Sequence, residues 1–260
     1  MPYVTVDGTR LYYETHGDGE PLLLIHGLGS STRDWEYQIP VFAKSYQVVV
    51  YDVRGHGRSD KPPGPYHLPL FARDAAQLME SLGLPPAHIV GISMGGMIAY
   101  QLAVSFPGKA RCLIVVNANP ELPLTTWRDR VLFWQRLLIV RLLGMRKMGE
   151  VLSNRLFVKP EQETLRKIFV ERWAENDPRA YLTAMRAIFG WSVVDQLDAI
   201  QIPVLIIAAD QDYTPVEEKE RYAAMMPRAQ VVRVDDSRHA TPVEKPDVFN
   251  QIVLSYLPRI

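Results

Sequence analysis

The chain has one cysteine and no excess of either charge, and both features narrow the possible functions. Cys112 alone excludes an internal disulfide and a multi-cysteine metal site, and its apolar surroundings predict a buried packing residue. The 29 basic residues balance the 29 acidic ones, so the charge indicates no nucleic-acid partner. The sequence contains no clustered histidine and cysteine ligands and no phosphate-binding glycine run, so we expect no metal and no cofactor.

Long apolar segments are also missing. The densest apolar run, at residues 131–143, is interrupted by Arg136 and Arg141, so it predicts no membrane span. Residues 1–8 have neither the basic start nor the apolar core of a secretion signal. We therefore expect a cytoplasmic protein, with an extracellular or processed form left open. The sequence indicates no oligomeric state.

Short apolar runs alternate with helical patterns along most of the chain. Alternating residues on both sides of Asp7-Gly8 predict a β-hairpin over residues 3–16. Further strands are predicted at residues 21–25, 46–51, 87–92, 110–116, 202–209 and 230–234. Helical patterns occur at residues 30–42, 68–82, 97–106, 216–226 and 242–257. This order predicts a mostly parallel, doubly wound sheet that begins with an antiparallel hairpin.

The alternation stops between residues 119 and 197, where the pattern is helical throughout and rich in large apolar side chains. A helical insertion there would cover the carboxyl ends of the strands, where ligands bind in such sheets. We therefore predict a cap at 119–197 on a core of 1–118 and 198–260. Its apolar side chains fit a substrate pocket and packing onto the core equally well. Ten basic against four acidic residues over 128–167 favour a solvated helix face over a site for an anionic substrate.

Residues 87–96 place Gly-x-Ser-x-Gly between a predicted strand and a predicted helix, the arrangement of a serine hydrolase nucleophile elbow. A serine in so sharp a turn needs small neighbours two residues away on each side, and Gly91 and Gly95 meet that need. The turn raises the Ser93 hydroxyl above the sheet at a helix N-terminus, which favours developing negative charge.

A serine hydroxyl needs a general base, and histidine is the natural candidate. In elbow hydrolases the triad follows the order nucleophile, acid, base, and His239 is the only histidine after Ser93. It lies in a loop between the last strand and the closing helix. Asp210 and Asp212 compete for the acid, and we prefer Asp212 because it lies deeper in its loop. The aspartate that is not used would then serve turn chemistry.

An oxyanion formed during acyl transfer needs preorganised donors. One candidate is the backbone N–H of Met94, directly after the nucleophile, and the other is the N–H of Leu28 in loop 26–29. The glycines of that loop also fit a tight strand-to-helix connection. We expect His26 to be structural and to bond loop backbone, and residues 52–59 to form a loop that braces the site.

These pieces together resemble the α/β-hydrolase superfamily over nearly the whole chain. The matching segments are 26–29, 52–59, 91–96, the loop that contains Asp212, and His239 followed by 244–246. The resemblance implies an α/β fold with a mostly parallel eight-stranded sheet, helices on both faces and a helical cap inserted after the sixth strand. Ala209 stands where the family often has glycine, and Pro215 comes one residue early, so the choice between Asp210 and Asp212 stays open.

Serine at the elbow makes the chain similar to esterases, carbon–carbon bond hydrolases, enol-lactonases and perhydrolases, and argues against enzymes with an elbow aspartate. The resemblance implies hydrolysis of a small-molecule ester with a short-to-medium acyl or aryl group. Ser93 would form the acyl-enzyme, His239 would act as base, and Asp212 would orient it. A carbon–carbon bond or enol-lactone hydrolase with the same triad is an alternative, and a small-molecule receptor is another. Fold alone does not separate them.

Overall fold

Eight strands form one sheet in the computed structural model, which describes residues 2–257 apart from the Arg128 side chain. The strands are β1 (Tyr3–Val6), β2 (Thr9–His16), β3 (Glu20–Ile25), β4 (Tyr46–Tyr51), β5 (Ala87–Ile92), β6 (Ala110–Val116), β7 (Val204–Ala209) and β8 (Ala229–Val234). Their order is β1-β2-β4-β3-β5-β6-β7-β8, and only the pairings of β2 with β1 and β4 are antiparallel. The predicted mostly parallel sheet with a leading hairpin is confirmed.

Helices cover both faces of this sheet. They are α1 (Ile39–Phe42), α2 (Leu68–Ser81), α3 (Met94–Ser105), α4 (Trp127–Leu156), α5 (Glu163–Ala174), α6 (Pro178–Ile188), α7 (Val216–Ala223), α8 (Thr241–Glu244) and α9 (Pro246–Tyr256). Successive strand residues point to opposite faces. Leu23 and Ile25 accordingly join one buried cluster, with α2, α3 and α7, whereas Leu22 and Leu24 join another, with α1 and α9. The sheet is therefore buried on both sides.

Two predicted helices are shorter than their patterns indicated, and a proline breaks each. The pattern at 30–42 divides into a 3₁₀ turn, Thr32–Trp35, and the single turn of α1, which has Pro40 at its start. The closing helix divides into α8 and α9 at Lys245, directly before Pro246. Proline lacks the N–H that a continuing helix requires and disfavours helical backbone in the preceding residue.

The segment between β6 and β7 is built from α4, α5 and α6, as expected for a helical insertion after the sixth strand. Gly144, with a φ of 79°, interrupts α4. An isolated β-bridge joins Glu121 and Ser192 near the two ends of the insertion. Within residues 2–257, no helix has both the length and the apolar character needed to cross a membrane.

Candidate active site

A cavity of about 590 Å³ lies at the carboxyl edge of the sheet. Its core wall comes from the loops after the strands: Leu28 follows β3, Ser93 follows β5, Asp212 follows β7, and His239 follows β8. Its opposite wall comes mainly from α4 and α5. The carboxyl ends of parallel strands meet at one edge, and ligands bind in the crevice outside them. Residues far apart in the sequence therefore line one space.

The Ser93 turn has the strained backbone that the sequence predicted. Ser93 has φ 55° and ψ −120°, an unfavourable conformation for a residue with a side chain. A Cβ at Gly91 would collide with the Gly95 carbonyl group, and one at Gly95 would collide with the Ile25 carbonyl group. The Ser93 hydroxyl makes no capping hydrogen bond to α3. It is therefore left available at the cavity.

The structure brings Asp212 and His239 together. Asp212 Oδ1 lies 2.6 Å from His239 Nδ1, and the Asp212 side chain is only 1% exposed. Asp210 instead accepts a hydrogen bond from the Ser237 backbone N–H at 3.0 Å, which is turn chemistry. Of the two competing aspartates, Asp212 is the one that contacts the histidine.

A buried lysine completes the surroundings of Asp212. Lys219 on α7 donates to Asp212 Oδ2 at 2.8 Å and to the Thr214 carbonyl and hydroxyl oxygens. Burial acts to raise the pKa of Asp212, but the charge and hydrogen bond of His239, together with Lys219, hold that pKa below its ordinary value. Lys219 is not among the site residues that the sequence predicted. The available signal was its position on the same helix face as the buried Tyr222 and Ala223.

Asn117, directly after β6, ties together the loops that carry Asp212 and His239. Its Oδ1 accepts from the Ala209 N–H at 2.8 Å, and its Nδ2 lies 2.9 Å from the His239 carbonyl oxygen and 2.8 Å from Thr241 Oγ1. Its φ of 48° is in the left-handed region, which asparagine tolerates better than most residues. This role is not visible in the sequence, because the partners of Asn117 lie up to 124 residues away.

The two predicted oxyanion donors flank Ser93. A Cβ built on Gly27 would lie 4.0 Å from Ser93 Oγ, which places the Gly27-Leu28 peptide beside the serine. In the part of the chain that the structure describes, neither the Leu28 N–H nor the Met94 N–H donates to a protein acceptor. Both N–H groups are therefore available to an oxygen in the cavity.

His26 and residues 52–59 brace the loop of residues 26–29, as expected. His26 Nε2 accepts from the Val53 N–H at 2.9 Å, so its proton lies on Nδ1, 2.8 Å from the Gly27 carbonyl oxygen. Asp52 accepts from the backbone N–H groups of Thr32 and Arg58, each at 2.7 Å. These bonds fasten the loop before α1 to the loop after β4.

His56 is fully buried against His26, with the two ring centroids 5.2 Å apart. Its Nδ1 lies 3.1 Å from the Arg54 carbonyl oxygen, and its Nε2 has no partner among the described residues. Burial lowers the pKa of His56 to about 3. The ring is therefore neutral at physiological pH.

No hydrogen bond joins Ser93 Oγ to His239 within residues 2–257, although both side chains face the same cavity. Catalytic hydrogen bonds often shorten only when substrate binds. The Tyr213 ring lies 4.4 Å from the His239 ring, centroid to centroid, and forms part of the cavity wall. The described side chains include no group of three or more metal-binding types placed to hold an ion.

The sequence matches a protein family and several known proteins over most of its length. A model of the alpha/beta hydrolase fold family matches residues 20–246. The chain is 31% identical over 271 residues to the putative carbamate hydrolase RutD of Azorhizobium caulinodans, across 100% of this chain and 99% of that protein. It is 30% identical over 263 residues to 3-oxoadipate enol-lactonase 2 of Acinetobacter baylyi, across 98% and 96%.

A solved structure gives the same result for the fold. The enol-lactonase from Burkholderia xenovorans LB400 matches with a TM-score of 0.91 over 99% of this chain and 100% of that chain. The sequence identity is 24%, so this likeness concerns the fold. The mostly parallel sheet with its helices is therefore a known fold.

Proposed function

Because the chain belongs to the alpha/beta hydrolase fold family and is a hydrolase, we propose that it cleaves carboxylic esters through an acyl-enzyme on Ser93. His239 is the general base, Asp212 orients it, and the Leu28 and Met94 N–H groups form the oxyanion hole. The substrate is a small molecule with a short-to-medium acyl or aryl group. The observation that carries the proposal is the 2.6 Å contact between Asp212 and His239 beside a strained, uncapped serine.

The proposed reaction has two halves. Ser93 Oγ attacks the ester carbonyl carbon while His239 Nε2 accepts the hydroxyl proton, and Asp212 stabilises the imidazolium through Nδ1. The two N–H groups stabilise the oxyanion, which collapses to the acyl-enzyme as His239 returns the proton to the leaving alcohol. Water then attacks the acyl carbon while His239 Nε2 removes its proton. The bond to Ser93 Oγ breaks, His239 returns the proton to that oxygen, and the acid is released.

In this proposal the core carries out the chemistry and the cap contributes to substrate binding. The catalytic groups belong to the core, 1–118 and 198–260, and the cap, 119–197, supplies most of the opposite wall. Leu132, Ile139 and Ile168 give that wall apolar character. An apolar acyl chain fits such a surface better than a strongly polar one.

A panel of p-nitrophenyl esters of increasing acyl length, assayed with wild type and Ser93→Ala, tests the mechanism. We expect the substitution to reduce kcat by about 10,000-fold or more, because the nucleophile is lost. A fluorophosphonate should label the wild type once, at Ser93, as read by mass spectrometry, and should leave Ser93→Ala unlabelled. Ester turnover that survives the substitution would refute the Ser93 mechanism.

Lactone hydrolysis is the second candidate, because the Acinetobacter baylyi relative is named an enol-lactonase and matches over 98% of this chain. A lactone is a cyclic ester, so the same groups would open it. Parallel assays with γ- and δ-lactones distinguish the two candidates by kcat/KM. A lactone kcat/KM far above that of every linear ester would favour the second.

A further inference from the structure

The basic residues of the cap differ in how they are paired. Several pair with acidic side chains at the surface, as expected for solvated helix faces: Arg146 with Glu171, Lys147 with Glu150, Lys159 with Asp236, and Lys167 with Glu163. Arg136 and Arg155 instead line the cavity, and neither forms an ion pair with any described side chain. The Arg128 side chain lies outside the described residues.

Arg136 lies near the loop that carries Leu28. Its guanidinium carbon is 5.8 Å from the centre of the Tyr181 ring, and that ring packs so closely on Gly29 that a Cβ there would come within 3.1 Å of it. Gly29 directly follows Leu28. On the other side, burial raises the pKa of Tyr213 while the charges of Arg136 and Arg155 oppose that rise.

The Arg136 guanidinium has unused hydrogen-bonding capacity in a mostly apolar space. Its Nε is buried and has no partner among the described residues. The planar guanidinium fork matches a carboxylate in a two-point contact. A carboxylate is therefore the partner that the chemistry of Arg136 favours.

The acidic side chains of the cavity do not supply that partner, because most of them are engaged elsewhere. Glu36 pairs with Arg172, Glu121 accepts from Tyr222, Asp129 accepts from the Thr126 N–H, and Asp212 pairs with Lys219. Asp34 also lines the cavity, but burial raises its pKa and its nearby basic groups are His26 and Arg172. Arg136 and Arg155 therefore have no ion-pair partner among the described acidic side chains of the cavity.

We propose that Arg136 binds a carboxylate carried by the substrate in addition to its scissile ester, with Arg155 adding positive charge at the same wall. The inference rests on the proposed ester hydrolysis wherever it concerns kcat/KM. It makes the preferred substrate a half-ester of a dicarboxylic acid, or a related carboxylated ester, instead of a simple fatty acyl ester. Arg136 is thus a specificity-determining residue.

A matched pair of substrates tests this directly. Mono-p-nitrophenyl adipate carries a free carboxylate, and its methyl ester has the same acyl chain without the charge. For wild type we expect kcat/KM to be about 10- to 100-fold higher for the acid, the range typical of a charge-assisted bidentate contact. Arg136→Gln should remove this preference by slowing the acid alone, and Arg136→Lys should retain part of it.

Arg141→Gln is the matched control, because Arg141 lies on the same helix, is exposed and does not line the cavity. We expect it to leave both values of kcat/KM unchanged. A wild type that cleaves both esters equally well would overturn the inference while leaving the proposed function intact. Equal losses on both esters in Arg136→Gln would also overturn it, because they would indicate a structural role.

Binding to Ser93→Ala protein separates the inference from the chemistry. By isothermal titration calorimetry we expect monomethyl adipate to bind at least 10-fold more tightly than dimethyl adipate, and Arg136→Gln in the same background to bind both equally. If no ester is turned over but this binding preference is present, the carboxylate site stands and ester hydrolysis fails. If the preference is absent, the carboxylate site fails whatever the turnover.

Discussion

The core wall and the cap wall of the cavity differ in how completely their buried charged and amide side chains are hydrogen-bonded. On the core wall, Asp212 and Asn117 are buried and hydrogen-bonded at both of their polar atoms. On the cap wall, Arg136 has a buried donor without a partner, and Leu132 is 50% exposed. A preorganised wall suits chemistry that needs fixed geometry, whereas an unsatisfied and partly exposed wall gains its partners from the substrate. Substitutions on the core wall should therefore lower mainly kcat, whereas those on the cap wall should change mainly KM.

The largest expected effect is on kcat and comes from a substitution on the core wall. Asp212→Asn should lower kcat by about 1,000- to 10,000-fold with little change in KM, because the amide favours the wrong histidine tautomer. Steady-state kinetics on a chromogenic ester measures this. The melting temperature should be recorded beside it, because the substitution also leaves Lys219 without a charged partner.

Asp210→Asn is the matched control for this prediction. Asp210 touches the Ser237 backbone instead of His239, so we expect kcat within about threefold of wild type, a small effect typical of a surface turn. A collapse of kcat in Asp210→Asn with normal kcat in Asp212→Asn would reverse our assignment of the acid.

The second effect concerns the bracing of the core wall and depends on pH. His56 stays neutral in the folded protein down to about pH 3, whereas the unfolded chain binds this proton near pH 6.5. The unfolded state therefore binds more protons between these values, and His56 destabilises the fold as the pH falls. From pH 6.5 to 4.5 this amounts to about 2 kcal/mol.

Urea unfolding of wild type and His56→Gln at pH 7.0, 6.0, 5.0 and 4.5 measures this contribution as the difference between the two proteins. We expect the free energy of unfolding of wild type to decrease more steeply as the pH is lowered, and the variant to be less sensitive. Parallel pH dependences for the two proteins would show that His56 is not a titrating group in this window.

The smallest expected effect lies on the cap wall. Leu132→Ala removes part of a half-exposed apolar lining, so we expect KM for longer acyl esters to rise about two- to fivefold with kcat unchanged. Leu142→Ala, on the same helix but away from the cavity, should change neither parameter. A large loss of kcat in Leu132→Ala would mean that the cap also positions the catalytic groups.

The sequence was most informative where chemistry demands a local pattern. The Ser93 turn requires small residues at fixed positions, and chain order left His239 as the one histidine after Ser93. The choice between Asp210 and Asp212 stayed open in the sequence, and only the structure shows which of them contacts His239. The alternation of strand and helix likewise predicted the sheet and the helical insertion. The broken helices at Pro40 and Pro246 show that periodicity overestimates the length of a helix when a proline lies within the helical pattern.

The residues that escaped prediction act through contacts with distant parts of the chain. Lys219 resembles an ordinary surface lysine until α7 packs and buries it against Asp212. Arg136 belonged to a basic segment whose composition favoured a solvated face, which several of its neighbours do form. Three-dimensional packing determines which basic side chains form ion pairs. The composition of a segment does not show this pairing.

Asn117 stands at the point where the chain leaves the sheet for the helical insertion, and its side chain holds the loops after β7 and β8 together. These bonds make one side chain at the end of β6 a shared anchor for both loops. The spacing of Asp212 and His239 therefore depends on a residue that precedes the helical insertion and lies far from either of them in the sequence.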